Sequence, residues 1–443
     1  MPKMTTRTRR SLIAAAAIAA TAVLSACGTA GPAPSGAAGK GTAGGASSVW
    51  VLSGATEVAF DKSFASWNDA HPSQKFTVQA FANDPYKQKI RTAVGADQAP
   101  TLIYGWGGGT LASYVDAGKV VDISDLVADP ALKGRFIPSI AAVGQVDGKT
   151  YAVPNNGLKP VQLYLNKDAF TTAGVKPPKT WDDLISSIPK FKAKGIAPIT
   201  VAGAAKWPLL MWEEYLVDRI GGPQVMKDIV AGKKDAWSDP AVIKANTMIQ
   251  QLVDAGGFVN GFGSISTDSG ADIALMYTGK AAMTLALPSA YQAVQSGDPG
   301  FLTSHKLGYA DFPTVAGGKG DPKDVVGNPS NYWSVSASAT KAQKKTAEEY
   351  IAKNLLNDSY VTDLLGTANV PPVRGIEPQL KKTSDPEFYN RIYKLADLAP
   401  SFQLSWDQAL RPDQADALLT NLQQIFLKQI TPKQFSAAMN KTL

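Results

Sequence analysis

The sequence of 443 residues predicts an α/β protein of two doubly wound lobes joined by a hinge. Three observations carry this. Strand and helix patterns alternate from Val49 to Val115, and a Pro154-Asn155-Asn156-Gly157 break interrupts the chain. A second alternation of short apolar strands and amphipathic helices then runs from Gly195 to Leu356. Such spacing implies parallel strand pairing with right-handed crossovers.

The first 26 residues carry Lys3, Arg7, Arg9 and Arg10, no acid, and then an apolar run from Leu12 to Val23. This is the pattern of a secretion signal, too short for a membrane span. Leu24-Ser25-Ala26-Cys27 matches the lipobox of bacterial lipoproteins, which makes Cys27 the expected lipid-bearing N-terminus. Arg9-Arg10 also leaves twin-arginine export open beside the general route. Residues 27–48 are nearly all Gly, Ala, Ser, Thr and Pro, a composition that forms no core and predicts a flexible tether. Cys27 is the one cysteine, so no disulfide framework is available and burial must hold the fold.

Val49–Leu52 predicts a strand, and Phe60, Phe64 and Trp67 mark the buried stripe of the helix after it. Lys75–Phe81 alternates as a second strand, and Asn83-Asp84-Pro85 predicts a helix start with a capping side chain ahead of the proline. Pro100–Trp106 is a buried strand ending in an indole, and Gly107-Gly108-Gly109 is a backbone that must bend. No Gly-Lys-Ser/Thr follows, so the glycines are not a nucleotide cradle. In doubly wound sheets ligands sit beyond the carboxyl ends of the strands. Here those ends present Ser53-Gly54, Asn83-Asp84 and Trp106. After the break, Thr180 is placed to cap a helix beginning at Trp181 with Asp182 and Asp183 in its first turn. Trp207-Pro208 sits at a later strand-to-helix loop, and a helical C-terminal third carries Ala415, Leu418, Leu422, Ile425 and Phe426 on one face.

The stretch GKTYAVPNNGLKPVQLYLNKDAFTTAGVKPPKTWDDL, Gly148 to Leu184, resembles the hinge and second-lobe entry of extracellular solute-binding proteins that serve ATP-driven sugar importers, the family that includes maltose-binding protein. The family pattern is Tyr-x-x-Pro, a break, an apolar strand, Tyr-Asn-Lys-Asp, then Pro-Lys-Thr-Trp. Leu165 stands here in place of the second tyrosine. Gly279–Leu285 is similar to the family's Gly-x-Ala-Ala-Met strand, although the ligand-touching aromatic that often follows is replaced by Leu287-Pro288-Ser289-Ala290-Tyr291. The resemblance implies a periplasmic-binding-protein-like fold, with one lobe of residues 49–157 plus 286–355 and another of 158–285 plus 356–443. It also implies a monomer on the outer face of the membrane, closure of the jaw on ligand, no cofactor, and handover to a membrane permease. TLIYGWGGGTLASYVDAGKVVD and LSWDQAL look most like actinobacterial binders of xylo-oligosaccharides.

Two histidines, His71 and His305, give little support for His-centred catalysis, and a His/Cys metal site is excluded by count. The four leader cations make up more than half of the formal +7, and no Lys/Arg stripe interleaves with aromatics, so nucleic acid is not an expected partner. Saccharide rings offer an apolar C–H face and a rim of hydroxyls, which asks for aromatic rings beside planar amides and carboxylates. Trp106, Trp207, Tyr332, Trp333 and Trp406 are the stacking candidates; Asn83, Asp84, Asn156, Asp407 and Gln408 are the polar ones. Each has a plainer role open to it: core packing for the rings, a helix cap for Asp84, a turn for Asn156. An anchored glycoside hydrolase using two of the 37 acids, or a peptide binder anchored by Arg374 or Arg411, stays open on the residues alone.

Overall fold

The computed structural model describes residues 46–443. The expected signal peptide at 1–26, Cys27 and the tether as far as residue 45 lie outside the described residues. Ser47 and Ser48, assigned to the tether by composition, already ladder against Phe76 and Thr77, so the first strand starts earlier than its apolar run.

Along the chain, β1 (Ser47–Leu52), α1 (Glu57–Ala70), β2 (Phe76–Phe81), α2 (Asn83–Gly95), β3 (Leu102–Gly105) and α3 (Gly108–Asp116) follow the predicted alternation. The short strands β4 (Val153–Pro154) and β5 (Lys159–Pro160) flank the Asn-Asn-Gly break, and β6 (Gln162–Asn166) opens the second lobe. Next come β7 (Ala197–Ile199), α4 (Trp207–Gly221), α5 (Ala271–Tyr277), β8 (Ala281–Ala286) and β9 (Leu307–Ala310). β10 (Val325–Asn328) and β11 (Tyr332–Val335) are followed by α6 (Lys341–Lys353), α7 (Asp358–Gly366), α8 (Pro386–Asp397), β12 (Phe402–Leu404), α9 (Trp406–Ala409) and α10 (Pro412–Phe426). Thr180 forms the expected cap as a full capping box with Asp183.

The first sheet has the order β2-β1-β3-β11-β4, parallel through β1, β2 and β3 and antiparallel at β11 and β4. The second has the order β9-β6-β8-β7, with β7 and β8 parallel and the remainder antiparallel. A small third sheet, β12-β10-β5, ties the hinge strands together. Phe60, Phe64 and Trp67 bury the inner face of α1 in the first core, as their spacing predicts. Leu209 to Val217 bury α4 nearly all round in the second, which suits a central helix.

Core membership and sheet pairing can be set beside the expected lobe boundaries at 286 and 355. β9 ladders on β6 of the second sheet, while Ala290, Tyr291, Val294, Phe301 and Leu307 just before and within it join the first hydrophobic cluster. Leu355 to Ala396 then pack in the first core: α7 lies on α1, and the Tyr360 hydroxyl donates to the Asn155 carbonyl at 2.7 Å. Only from Trp406 does the chain rejoin the second core. The cause is that α7 and α8 carry apolar stripes that fit either core equally well by periodicity, and the choice between cores is a long-range one. Among the described residues no helix is long and apolar enough to cross a membrane.

Candidate functional site

The carboxyl ends of strands from both sheets converge on one cleft of about 510 Å³ beside the hinge. From the first lobe it takes Ser53, Gly54, Asn83, Lys87 and Trp106; from the second, Trp207, Met211, Asp268, Asp272 and the Ser405–Gln408 segment; from the hinge, Asn156, Lys159, Asn328 and Asn331.

Six of the ten candidate residues meet there: Asn83, Trp106, Asn156, Trp207, Asp407 and Gln408. α2 begins at Asn83 itself, with Ala82 as its cap residue, so the Asn83 amide is not a cap and instead donates to Asp84 at 2.9 Å. Asp84 stands just behind the lining; burial raises its carboxyl above the usual carboxylate range, and Asp268 and Asp407 nearby push the same way against Lys87. Trp106 packs edge-on against Tyr104 at 5.7 Å, under the Lys87 ammonium at 5.5 Å. Trp207, half-buried at the start of α4, has an indole N–H with no partner among the described residues. Asn156 is a hinge fastener as well as a wall: its amide donates to Tyr104 Oη and Asn331 Oδ1, and its carbonyl oxygen accepts from the Gly157 N–H.

Three aromatic candidates are not in the cleft. Tyr332 and Trp333 lie on β11, whose edges pair with β3 and β4 and whose two faces are both packed over, so that both rings are buried. Tyr332 donates to the Ile140 carbonyl, and Trp333 is wedged among Phe60, Phe64 and Tyr104. Trp406 is fully buried against Trp237, its indole N–H donating to Gln403. Tyr291, after β8 where the family often has a ligand-touching aromatic, stacks instead on Phe388 with ring centroids 3.9 Å apart.

The Ser405–Gln408 segment is held by an acid that periodicity did not single out. Glu214 on α4 accepts from Ser405 Oγ at 2.8 Å and from the Trp406 N–H at 2.7 Å, which aims Asp407 and Gln408 at the cleft. Asp407 is then bridged to Lys87 of the other lobe at 3.2 Å. Burial pushes the carboxyls of Glu214 and its neighbour Glu213 up to about 8. A folded-state value above the unfolded 4.5 means stability that is complete below 4.5 and is lost as pH rises through 8. Denaturant midpoints are therefore expected to fall between pH 5 and pH 8.5, in a pH titration of unfolding. Glu214→Gln, which keeps one acceptor oxygen and cannot ionise, should flatten that slope by up to about 1.4 kcal/mol per pH unit. Lys87, Lys159 and Asp268 were also missed: single charged side chains on a helix face, a hinge strand and a loop form no sequence pattern.

A family model for bacterial extracellular solute-binding proteins matches residues 30–358 of this chain. The chain belongs to that family. As an extracellular solute-binding protein it is 26% identical, over 210 residues, to an uncharacterized ABC transporter extracellular-binding protein of Pyrococcus horikoshii, covering 46% of this chain and 49% of that one. It is 29% identical over 123 residues to a sn-glycerol-3-phosphate-binding periplasmic protein of Brucella abortus, covering 26% and 28%. The matched regions thus span half or less of these curated relatives. Among solved structures, one from a study of xylan utilization by Caldanaerobius polysaccharolyticus superposes with a TM-score of 0.81 and 29% identity, covering 90% of this chain and all of that one. A chitin oligosaccharide binding protein shares the fold with a TM-score of 0.79 and 24% identity, covering 90% and 97%. The solute-binding fold, with its two lobes and hinge, is common to both.

Proposed function

We propose that this solute-binding protein is the capturing component of an ABC sugar importer. It is held on the outer face of the membrane through a lipid on Cys27, acts as a monomer, and takes a β-linked xylo-oligosaccharide between its lobes for delivery to a permease. The observation that carries the reading is the cleft: Trp106 from one lobe and Trp207 from the other line a space of about 510 Å³ whose walls also include Asn83, Asp407 and Gln408. A cavity of that size is within the range of small-ligand sites, and rings beside amides and carboxylates suit a saccharide. Likeness to the xylan-utilization structure supports the choice of sugar. Because the lining comes from both lobes, ligand contacts both only in the closed arrangement, so binding shifts the open and closed populations.

Calorimetric titration with xylotriose, chitotriose and maltotriose tests this. Xylotriose is expected to bind saturably without release of new reducing ends, and Trp106→Ala should weaken it by about 1.5 kcal/mol or more, given what aromatic burial contributes. Turnover of the sugar, or no heat with any of the three, would remove the reading.

A further inference from the structure

The cations of the cleft are in opposite situations. Lys87 at the mouth is bridged to Asp407 at 3.2 Å, with Asp84 and Asp268 close by, so the positive charge there is already answered. Lys159, on hinge strand β5 at the floor, has no such partner. Among the described residues its ammonium reaches only the side-chain carbonyl of Asn369, at 3.4 Å, and no carboxylate contributes to its charge environment. Burial alone acts on it and pushes the amine down to about 8. Lys159 is part-buried, and a cation drawn out of water without an anion to answer it destabilises a protein.

The surroundings are built to hold that amine in place. The Asn369 amide donates to Thr56 Oγ1, the Thr367 carbonyl and Thr367 Oγ1 at 3.0 to 3.1 Å, which fixes its carbonyl oxygen toward Lys159. Asn328 stands opposite Lys159 in the β5–β10 pairing, and its side-chain carbonyl oxygen is buried with no donor. Both residues line the cleft. The floor therefore offers one cation without an anion and one acceptor without a donor, side by side.

We infer that Lys159 is a specificity residue that pairs with an anionic group on a polyhydroxyl ligand, a uronate carboxylate or a sugar phosphate, while a ligand hydroxyl donates to Asn328. The inference rests on the sugar-capture reading and narrows it to charged sugars. The acids near Lys87 favour a neutral ligand portion at the mouth, so the anionic group is directed inward by repulsion at one end and attraction at the other.

Titrations of the purified protein with xylotriose, glucuronosyl-xylotriose, digalacturonate and glucose 6-phosphate separate the cases. At least one anionic sugar is expected to bind tenfold or more tightly than xylotriose. Lys159→Met should reduce that advantage below threefold with the thermal midpoint retained, and Lys159→Arg should keep most of it. Uronates ahead of the phosphate identify a carboxylate, and the reverse order identifies a phosphate. Xylotriose binding as well as every anionic sugar would overturn the inference and leave the sugar-capture reading intact. Anionic sugar binding without xylotriose binding would support the inference and overturn only the choice of a neutral xylo-oligosaccharide. No binding of any probe, or an advantage that survives in Lys159→Met, would overturn it.

Discussion

Trp333→Ala is expected to lower the free energy of unfolding by about 3–5 kcal/mol, the range for removing a large aromatic from a packed core. The indole sits at the centre of the first lobe, 5.6 Å from the Phe60 ring, 6.1 Å from Phe64 and 5.4 Å from Tyr104, with no exposed surface. These neighbours belong to α1 and β3, two elements whose ends carry cleft residues, and they pack too tightly on one another to fill the vacated space. Its indole N–H has no partner among the described residues, so no lost hydrogen bond is involved and Trp333→Phe should recover a large part of the loss. Urea unfolding monitored by far-ultraviolet circular dichroism measures this. A change under about 1 kcal/mol would mean that the ring is not where the packing places it.

The same residue shows where sequence reading stops. An indole beside a tyrosine, after Asn331, has the local look of a cleft edge, and so has Trp406 beside Asp407 and Gln408. What buries them is non-local. β11 is inserted between β3 and β4, strands more than a hundred and seventy residues earlier in the chain, and Trp406 is covered by Trp237 and anchored by Glu214. Candidates placed by a rule of topology fared better: Asn83 and Trp106 line the cleft because strand ends in a doubly wound sheet do. Trp207 follows the same logic at the entry to α4. The hinge was legible because Pro, Asn and Gly break a chain whatever surrounds them. The apolar stripes of α7 and α8, by contrast, carry no mark of which core they will fill. Lys159 lay within the hinge stretch, but a single cation two residues past the Gly157 break is no pattern by itself.

Gly109→Ala is expected to hold the jaw ajar. Gly107-Gly108-Gly109 leads into α3, and the start of that helix is pressed against the backbone of the 408–410 segment, which belongs to the other core. A methyl group at 109 would come within 2.3 Å of the Leu410 carbonyl oxygen and 2.7 Å of that of Ala409; one at 108 would lie 2.5 Å from the Gln408 oxygen. The obstacles are backbone atoms that cannot rotate away, so the clash is relieved only by parting the two lobes, which also pulls Lys87 from Asp407. Gly109 has no left-handed backbone to lose, and alanine is the better helix former, so the lobes themselves should stay as stable as before. The penalty falls on the closed state. Overpacking of about 1–3 kcal/mol corresponds to roughly a 5- to 150-fold loss of ligand affinity through the population shift. Gly95→Ala at the end of α2 is the matched control, since a methyl there meets nothing within 4 Å. Small-angle scattering needs no ligand to read the effect: the Gly109 variant should show a larger radius of gyration than the control under conditions where the parent is closed. Superimposable curves together with unaltered sugar affinity would show that closure does not pass through this contact, and that the three glycines only turn the chain into α3.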